Sequence, residues 1–247
     1  MANSSGTRSY ADDPGVVVWN ELQVPTGEEL DTTRWAGYFH PLVQALGYRD
    51  SCWARVQGRL DIIILATLWE TTSGLRNFTA SPSAQLYREN LESRSITLLS
   101  SYETPYRGLA NWFPSLQRSY VQLFWVYFST PVTEAQKARV AKLRGIRPPA
   151  LGPGIPINMH LQRHIPEKLW TTKTEDLHNK ETQLMLWPHF WWGAEKAQWR
   201  YGPTEIMEGS LVVGTRSREE DFSVKLEAVG PLNWKENICV FKPFHRV

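Results

Sequence analysis

Hydrophobic and polar positions divide the sequence into short apolar runs separated by turn signals. Val16 to Val24 is β-branched, is closed by Pro25-Thr26-Gly27, and predicts a strand. Thr26 with Glu29 three residues on has the form of a capping box. Leu30, Trp35, Phe39, Leu42, Val43 and Leu46 then recur near helical spacing, with Pro41 as a break and Gly47 as a stop. Ser51 to Gln57 and Leu60 to Trp69 flank Gly58-Arg59, which predicts a hairpin. Ser81-Pro82 predicts an N-cap followed by proline at the first helical position, and Leu86, Tyr87 and Leu91 give that helix an apolar side. Ser95 to Tyr102 completes a βαββαβ order, that of the ferredoxin-like split βαβ motif.

The pattern then restarts. Trp19 and Pro25 have the same spacing as Trp125 and Pro131, each pair at the end of a strand that leads to a helix. Thr133 and Gln136 again suit a helix start, Ala138 to Leu143 continue it, and Gln183 to Trp192 and Asn237 to Phe244 read as strands. The expected architecture is α+β: two ferredoxin-like repeats forming an intramolecular dimeric α+β barrel. A disordered N-terminus occupies 1–14, the first repeat 15–105, a linker 106–118 and the second repeat 119–247. Within the last, a Pro-rich insertion spans about 146–180, with four prolines between Arg147 and Pro156.

Composition narrows the function classes. The 247 residues are 42% hydrophobic, enough for a substantial core. Basic and acidic residues, 27 and 25, are spread along the sequence without the basic stripe of a nucleic-acid surface, so no nucleic-acid partner is expected. The longest apolar run, Ile62 to Leu68, is too short for a bilayer, so no membrane partner is expected either. Two distant cysteines, Cys52 and Cys239, suit a reduced, cytoplasmic protein. Twelve Trp, nine Tyr and nine Phe can wall an apolar pocket as well as fill a core.

The run Asp61-Ile62-Ile63-Ile64-Leu65-Ala66-Thr67-Leu68-Trp69-Glu70, followed by Gly74-Leu75-Arg76-Asn77-Phe78 and Ser81-Pro82, resembles the antibiotic biosynthesis monooxygenase superfamily. There an apolar strand ends in Trp, a short polar link and a Phe follow, and Ser-Pro opens the last helix. The resemblance covers roughly one third of the sequence (Gly47 to Leu91) and implies the dimeric α+β barrel and small hydrophobic substrates, without implying one reaction. Members include cofactor-free oxygenases, haem-degrading enzymes, isomerases and proteins without established catalysis. The haem-degrading branch pairs an Asn on the first strand and a Trp ending the third with a His on the last helix. Asn20 and Trp69 match the first two, but Pro82 to Leu91 holds no His, which argues against haem.

Strand alternation places Asn20 as a lone amide in the row Val16, Val18, Leu22, Val24. It either meets a ligand carbonyl, where it can stabilise developing negative charge, or bonds neighbouring backbone. Trp187, His189 and Trp191 share a strand face, where apolar flanks favour a neutral imidazole that acts as donor or base, or is tied to backbone. Trp69, Phe78 and Tyr87 form a candidate wall in the first half. His160 and His164 have the spacing of metal ligands on a helix, but Pro156 and Pro166 bracket them and no carboxylate accompanies them, so no metal is expected.

The expected function is a cofactor-independent enzyme that guides cyclisation or rearrangement, a pericyclic step among them, of an apolar polyunsaturated biosynthetic intermediate. Asn20 and His189 are its candidate catalytic donors, and Trp69, Phe78, Tyr87, Trp187 and Trp191 its substrate-binding walls. A cofactor-free monooxygenase acting on a polyketide or phenolic substrate, and a non-catalytic carrier of a hydrophobic metabolite, are the alternatives. Because two repeats can satisfy both sheets internally, a monomer or weak homodimer is expected.

Overall fold

The computed structural model describes residues 13–27, 29–30, 33–107, 110–146, 162–164 (backbone only) and 167–244. In chain order the first elements are β1 (Gly15–Gln23), α1 (Thr33–Tyr38), α2 (His40–Val43), β2 (Tyr48–Val56), β3 (Arg59–Trp69), α3 (Thr72–Thr79), α4 (Pro82–Glu92) and β4 (Thr97–Tyr106). After α5 (Phe113–Leu116) come β5 (Tyr120–Ser129), α6 (Glu134–Lys142), β6 (Gln162–His164), β7 (Leu169–Leu177), β8 (Lys180–Trp191) and α7 (Ala194–Ala197). A 3₁₀ turn at Gln198–Tyr201 precedes β9 (Pro203–Glu208), β10 (Leu211–Ser217), α8 (Arg218–Glu227), β11 (Asn233–Val240) and β12 (Lys242–Pro243). The fold class is α+β with antiparallel sheet pairing. No described helix is long and apolar enough to cross a membrane.

The chain divides into two compact units. Unit 1 comprises Met1–Trp53, Arg59–Asn111 and Pro243–Val247, and unit 2 comprises Ala54–Gly58 and Trp112–Lys242. In unit 1 the strands lie in the order β4-β1-β3-β2, with Asn20 opposite Leu65 on one side and Ser101 on the other. The even positions of β1 and the odd positions of β3 face the helices. Val16, Val18, Leu22, Ile63, Leu65 and Trp69 pack there against Trp35, Phe39 and Leu42. Burying a side chain of this size contributes about 1.5–3 kcal/mol, so this face dominates the stability of the unit. On the reverse face the Trp19 indole donates to Thr104 Oγ1 at 3.0 Å. Gly15 lies so close to Tyr106 that a β-carbon would overlap its ring, and the Tyr106 hydroxyl donates to the Trp69 carbonyl at 3.0 Å.

Unit 2 has the corresponding order β11-β5-β8, with β6 and β7 both pairing with β8. Phe124, Val126, Phe128, Met185, Trp187 and Trp191 face Phe222 and Leu226 of α8. Trp19 of β1 and Trp125 of β5 are both fully buried, followed in sequence by Asn20 and Val126.

Several expectations are corrected. The first helix starts at Thr33, and Thr26-Gly27 is a turn without a capping box. Phe39 separates α1 from α2, with Pro41 in the first turn of α2, so the predicted single helix is two. Leu86 is 50% exposed, and Ala84 and Leu91 form the buried side of α4. The polar link after Trp69 is the helix α3, capped by Thr71, whose hydroxyl accepts from Gly74 N at 3.0 Å. β4 runs on to Tyr106 into the expected linker, which also holds α5. Of the expected insertion, Gln162–His164 is the strand β6 and Glu167 to Lys180 is largely the strand β7. His160 lies outside the described residues, and only the backbone of His164 is described.

Candidate functional site

A cavity of about 150 Å³ lies in unit 1 between the β3-β1-β4 face and helices α3 and α4. Val18, Leu42, Leu75, Phe78, Ala84 and Leu98 supply its apolar lining, and Asn20, Thr67, Trp69, Tyr87, Arg88 and Ser101 its polar lining. Capping fixes both helices over the sheet: Thr71 caps α3, and the Ser81 hydroxyl accepts from Ala84 N at 3.3 Å to start α4. Tyr87 is thereby set between Phe78 and Phe39, with ring centroids 6.3 Å and 5.9 Å away, and Trp69 packs on Phe78 at 5.2 Å.

The Thr67 hydroxyl accepts from Ser51 Oγ at 3.1 Å, but the side chains of Asn20, Trp69 and Tyr87 have no hydrogen-bond partner among the described residues. Asn20 Oδ1 is buried without a hydrogen bond, which leaves its Nδ2 as the end with surface to offer. Neither the Trp69 indole N–H nor the Tyr87 hydroxyl bonds a described residue, and burial raises the Tyr87 phenol well above its ordinary pKa. Tyr87 therefore stays protonated and serves as a donor rather than a base. Arg88, exposed at the rim, has no ion-pair partner among the described residues. An amide, an indole, a phenol and a guanidinium thus converge on an apolar space, a set that stabilises negative charge developing on a substrate oxygen. Four of the residues expected from the sequence, Asn20, Trp69, Phe78 and Tyr87, are brought together here. Arg88, Ser101 and Leu75 were not singled out, because nothing in the sequence registers β4 and α3 against β1.

Trp187, His189 and Trp191 lie in unit 2 and do not line this cavity. They share one strand face, as alternation predicts, but all three are fully buried in core packing. His189 Nε2 accepts from Ile146 N at 3.1 Å, so the ring proton sits on Nδ1, facing the Trp187 carbonyl at 3.3 Å. Both nitrogens of this neutral imidazole are engaged by backbone, which leaves neither for a substrate. Gly145, at φ +70°, makes this possible, since a β-carbon there would stand 2.5 Å from His189 Nε2. The Trp187 ring lies 5.3 Å from Phe222, with Lys168 Nζ 4.6 Å from a ring centroid. The Trp191 indole donates to Gln122 Oε1 at 3.3 Å. In unit 2 Phe124 packs on Phe222 and Trp234, with ring centroids 4.9 Å and 5.8 Å away.

No protein-family model and no curated protein sequence matches the chain. Solved structures do. An anthrone oxidase-like protein aligns over 96% of both chains with TM-score 0.51 at 13% identity. A candidate monooxygenase from Fusobacterium nucleatum aligns over 94% of this chain and 93% of its own, with TM-score 0.51 at 8% identity. These likenesses show the fold, that of the dimeric α+β barrel proteins.

Proposed function

We propose that the chain is a cofactor-independent enzyme that cyclises or rearranges an apolar, carbonyl-bearing unsaturated intermediate, whose reacting portion enters the unit 1 cavity. The observation that carries this reading is the unpartnered Asn20 amide in an apolar cavity shared with the free Trp69 indole and Tyr87 hydroxyl. Nδ2 of Asn20 donates to the substrate carbonyl as its electron density rises, and the aromatic walls hold the reacting carbons near their attack geometry. At about 150 Å³ the space takes a head group, and the remainder of a larger substrate lies outside it.

A second reading is favoured by the fold likeness to an anthrone oxidase-like protein. In it the same donors stabilise a phenolate or enolate that reacts directly with dioxygen. One oxygen atom enters the substrate, and the other leaves as water with two substrate hydrogens. Incubating the protein with an extract of its native pathway, with and without oxygen and with mass-spectrometric readout, separates the readings. A product of unchanged mass formed anaerobically supports cyclisation or rearrangement. A gain of oxygen that stops under nitrogen supports oxygenation. Ligand recovered unaltered marks a carrier and refutes both. We further propose a monomer or weak homodimer, which sedimentation velocity tests.

A further inference from the structure

Unit 2 holds a polar cluster that the site above does not use. On the helix-facing side, Tyr120 and Gln122 stand at the start of β5 and Trp191 at the end of β8, with Tyr120 opposite Trp191. The 3₁₀ turn contributes Arg200, only 5% exposed, and the first turn of α8 contributes Glu219. Trp191 donates to Gln122, which donates through Nε2 to Glu219 Oε1 at 3.3 Å. Glu219 Oε1 in turn lies 3.3 Å from Arg200 Nε. The Nε side of the guanidinium thus faces, as an ion pair without a hydrogen bond, a carboxylate whose own position is fixed by a buried amide and indole.

The end of the same guanidinium is half used. Arg200 Nη2 donates to the Tyr201 hydroxyl at 2.6 Å, and Nη1 is buried with no partner. Tyr201, whose ring centroid is 4.5 Å from the guanidinium carbon, is itself 51% exposed. Buried guanidinium N–H groups ordinarily find acceptors, and the Nη1/Nη2 fork matches the two oxygens of a carboxylate. Here the only hydrogen bond of the fork among the described residues goes to a neutral hydroxyl on a side chain that borders solvent, with the Tyr120 hydroxyl, itself bonded to Gln57 Oε1, as its other phenolic neighbour.

We propose that Arg200 is the anchor of a second ligand site, which takes the carboxylate of a small organic acid through Nη1 and Nη2 when Tyr201 swings aside. The titratable groups around Arg200 are Tyr201 from the 3₁₀ turn, Glu219 from α8 and Tyr120 from β5, with Glu236 of β11 near Tyr120 and Glu219. Burial, and then the nearby Glu236, raise the Glu219 carboxyl above its usual range. An arriving anion raises it further, so binding takes up a proton and weakens as pH rises.

The test uses the full chain with sodium acetate as probe and sodium chloride at equal ionic strength as control, reading the thermal midpoint and an isothermal titration. A saturable, acetate-specific rise in midpoint is expected, larger at pH 5 than at pH 8. Tyr201→Ala, which removes the competing hydroxyl from an exposed position, should bind acetate about fivefold more tightly. Arg200→Lys should lose most of the effect, and Glu219→Gln should keep it without its pH dependence. If neither the parent nor Tyr201→Ala distinguishes acetate from chloride, or if Arg200→Lys binds as the parent does, the site does not exist and Arg200 is a structural ion-pair partner.

Discussion

Replacing Asn20 with leucine should make the protein more stable and less active. The buried Oδ1 has no partner, and an unsatisfied buried polar atom costs about 1–3 kcal/mol. Leucine has nearly the same outline, joins the apolar row of Val18 and Leu22, and extends into space that is already open. The expected gain is about 1–2 kcal/mol, and for a chain of this size each kcal/mol shifts the thermal midpoint by roughly 2–4 °C. Turnover should fall by about 10²–10³, the cost of removing one oxyanion donor. Urea unfolding with an unchanged slope, alongside the mass-spectrometric turnover assay, measures both. Asn20→Asp, which leaves a carboxylate in the same apolar row, should destabilise instead. If Asn20→Leu lowers stability by more than 1 kcal/mol, the amide is bonded within the fold and the reasoning that makes it a substrate donor fails.

Three further outcomes follow from the geometry. Gly145→Ala should destabilise by roughly 2–4 kcal/mol in chemical denaturation, because it strains a positive φ and displaces His189 from Ile146 N; a change under 0.5 kcal/mol would show that this turn yields freely. Leu86→Glu should change stability by no more than about 0.5 kcal/mol, whereas Leu91→Ala should cost about 2–5 kcal/mol, since only the second side chain is buried. The raised Tyr87 pKa favours the folded state's neutral phenol, so its contribution is complete below the unfolded tyrosine pKa near 10 and is lost as pH rises above it. Stability profiles of the parent and Tyr87→Phe should therefore converge in slope below about pH 9 and diverge in alkali, with the parent falling more steeply.

The strands were legible because their apolar runs are long and their turns carry proline or glycine; β1, β3, β5 and β8 fall close to where alternation put them. Asn20 was legible for the same reason, as the one amide in a row of valine and leucine. What escaped reading lacked that contrast. α3 opens on Thr72, Ser73 and Gly74, weak helix formers, and is held by the Thr71 cap and by Phe78 packing on Trp69. β9 and β10 expose both faces, so Met207, Leu211 and Val212 show no burial period. α8 did carry a readable signal, the Ser217-Glu220 capping box, which forms reciprocally in the structure. Alternation also gave the shared face of Trp187, His189 and Trp191 correctly, but a face is a direction only. Whether it meets a cavity or Phe222 depends on α8, whose place no local pattern encodes.

The two units interleave along the sequence: the tip of the β2–β3 hairpin counts with unit 2, and Phe244, arriving after all of unit 2, packs 4.6 Å from Phe39 in unit 1. During synthesis, the part of the polypeptide that emerges first must therefore wait for almost all the rest before its aromatic cluster closes. No single cut between Asn111 and Trp112 would yield two self-sufficient fragments, because each would lack a strip of its own interior that the other carries. The two units are therefore not separable by one cut, and the closing of the first is tied to a segment that lies beyond the second.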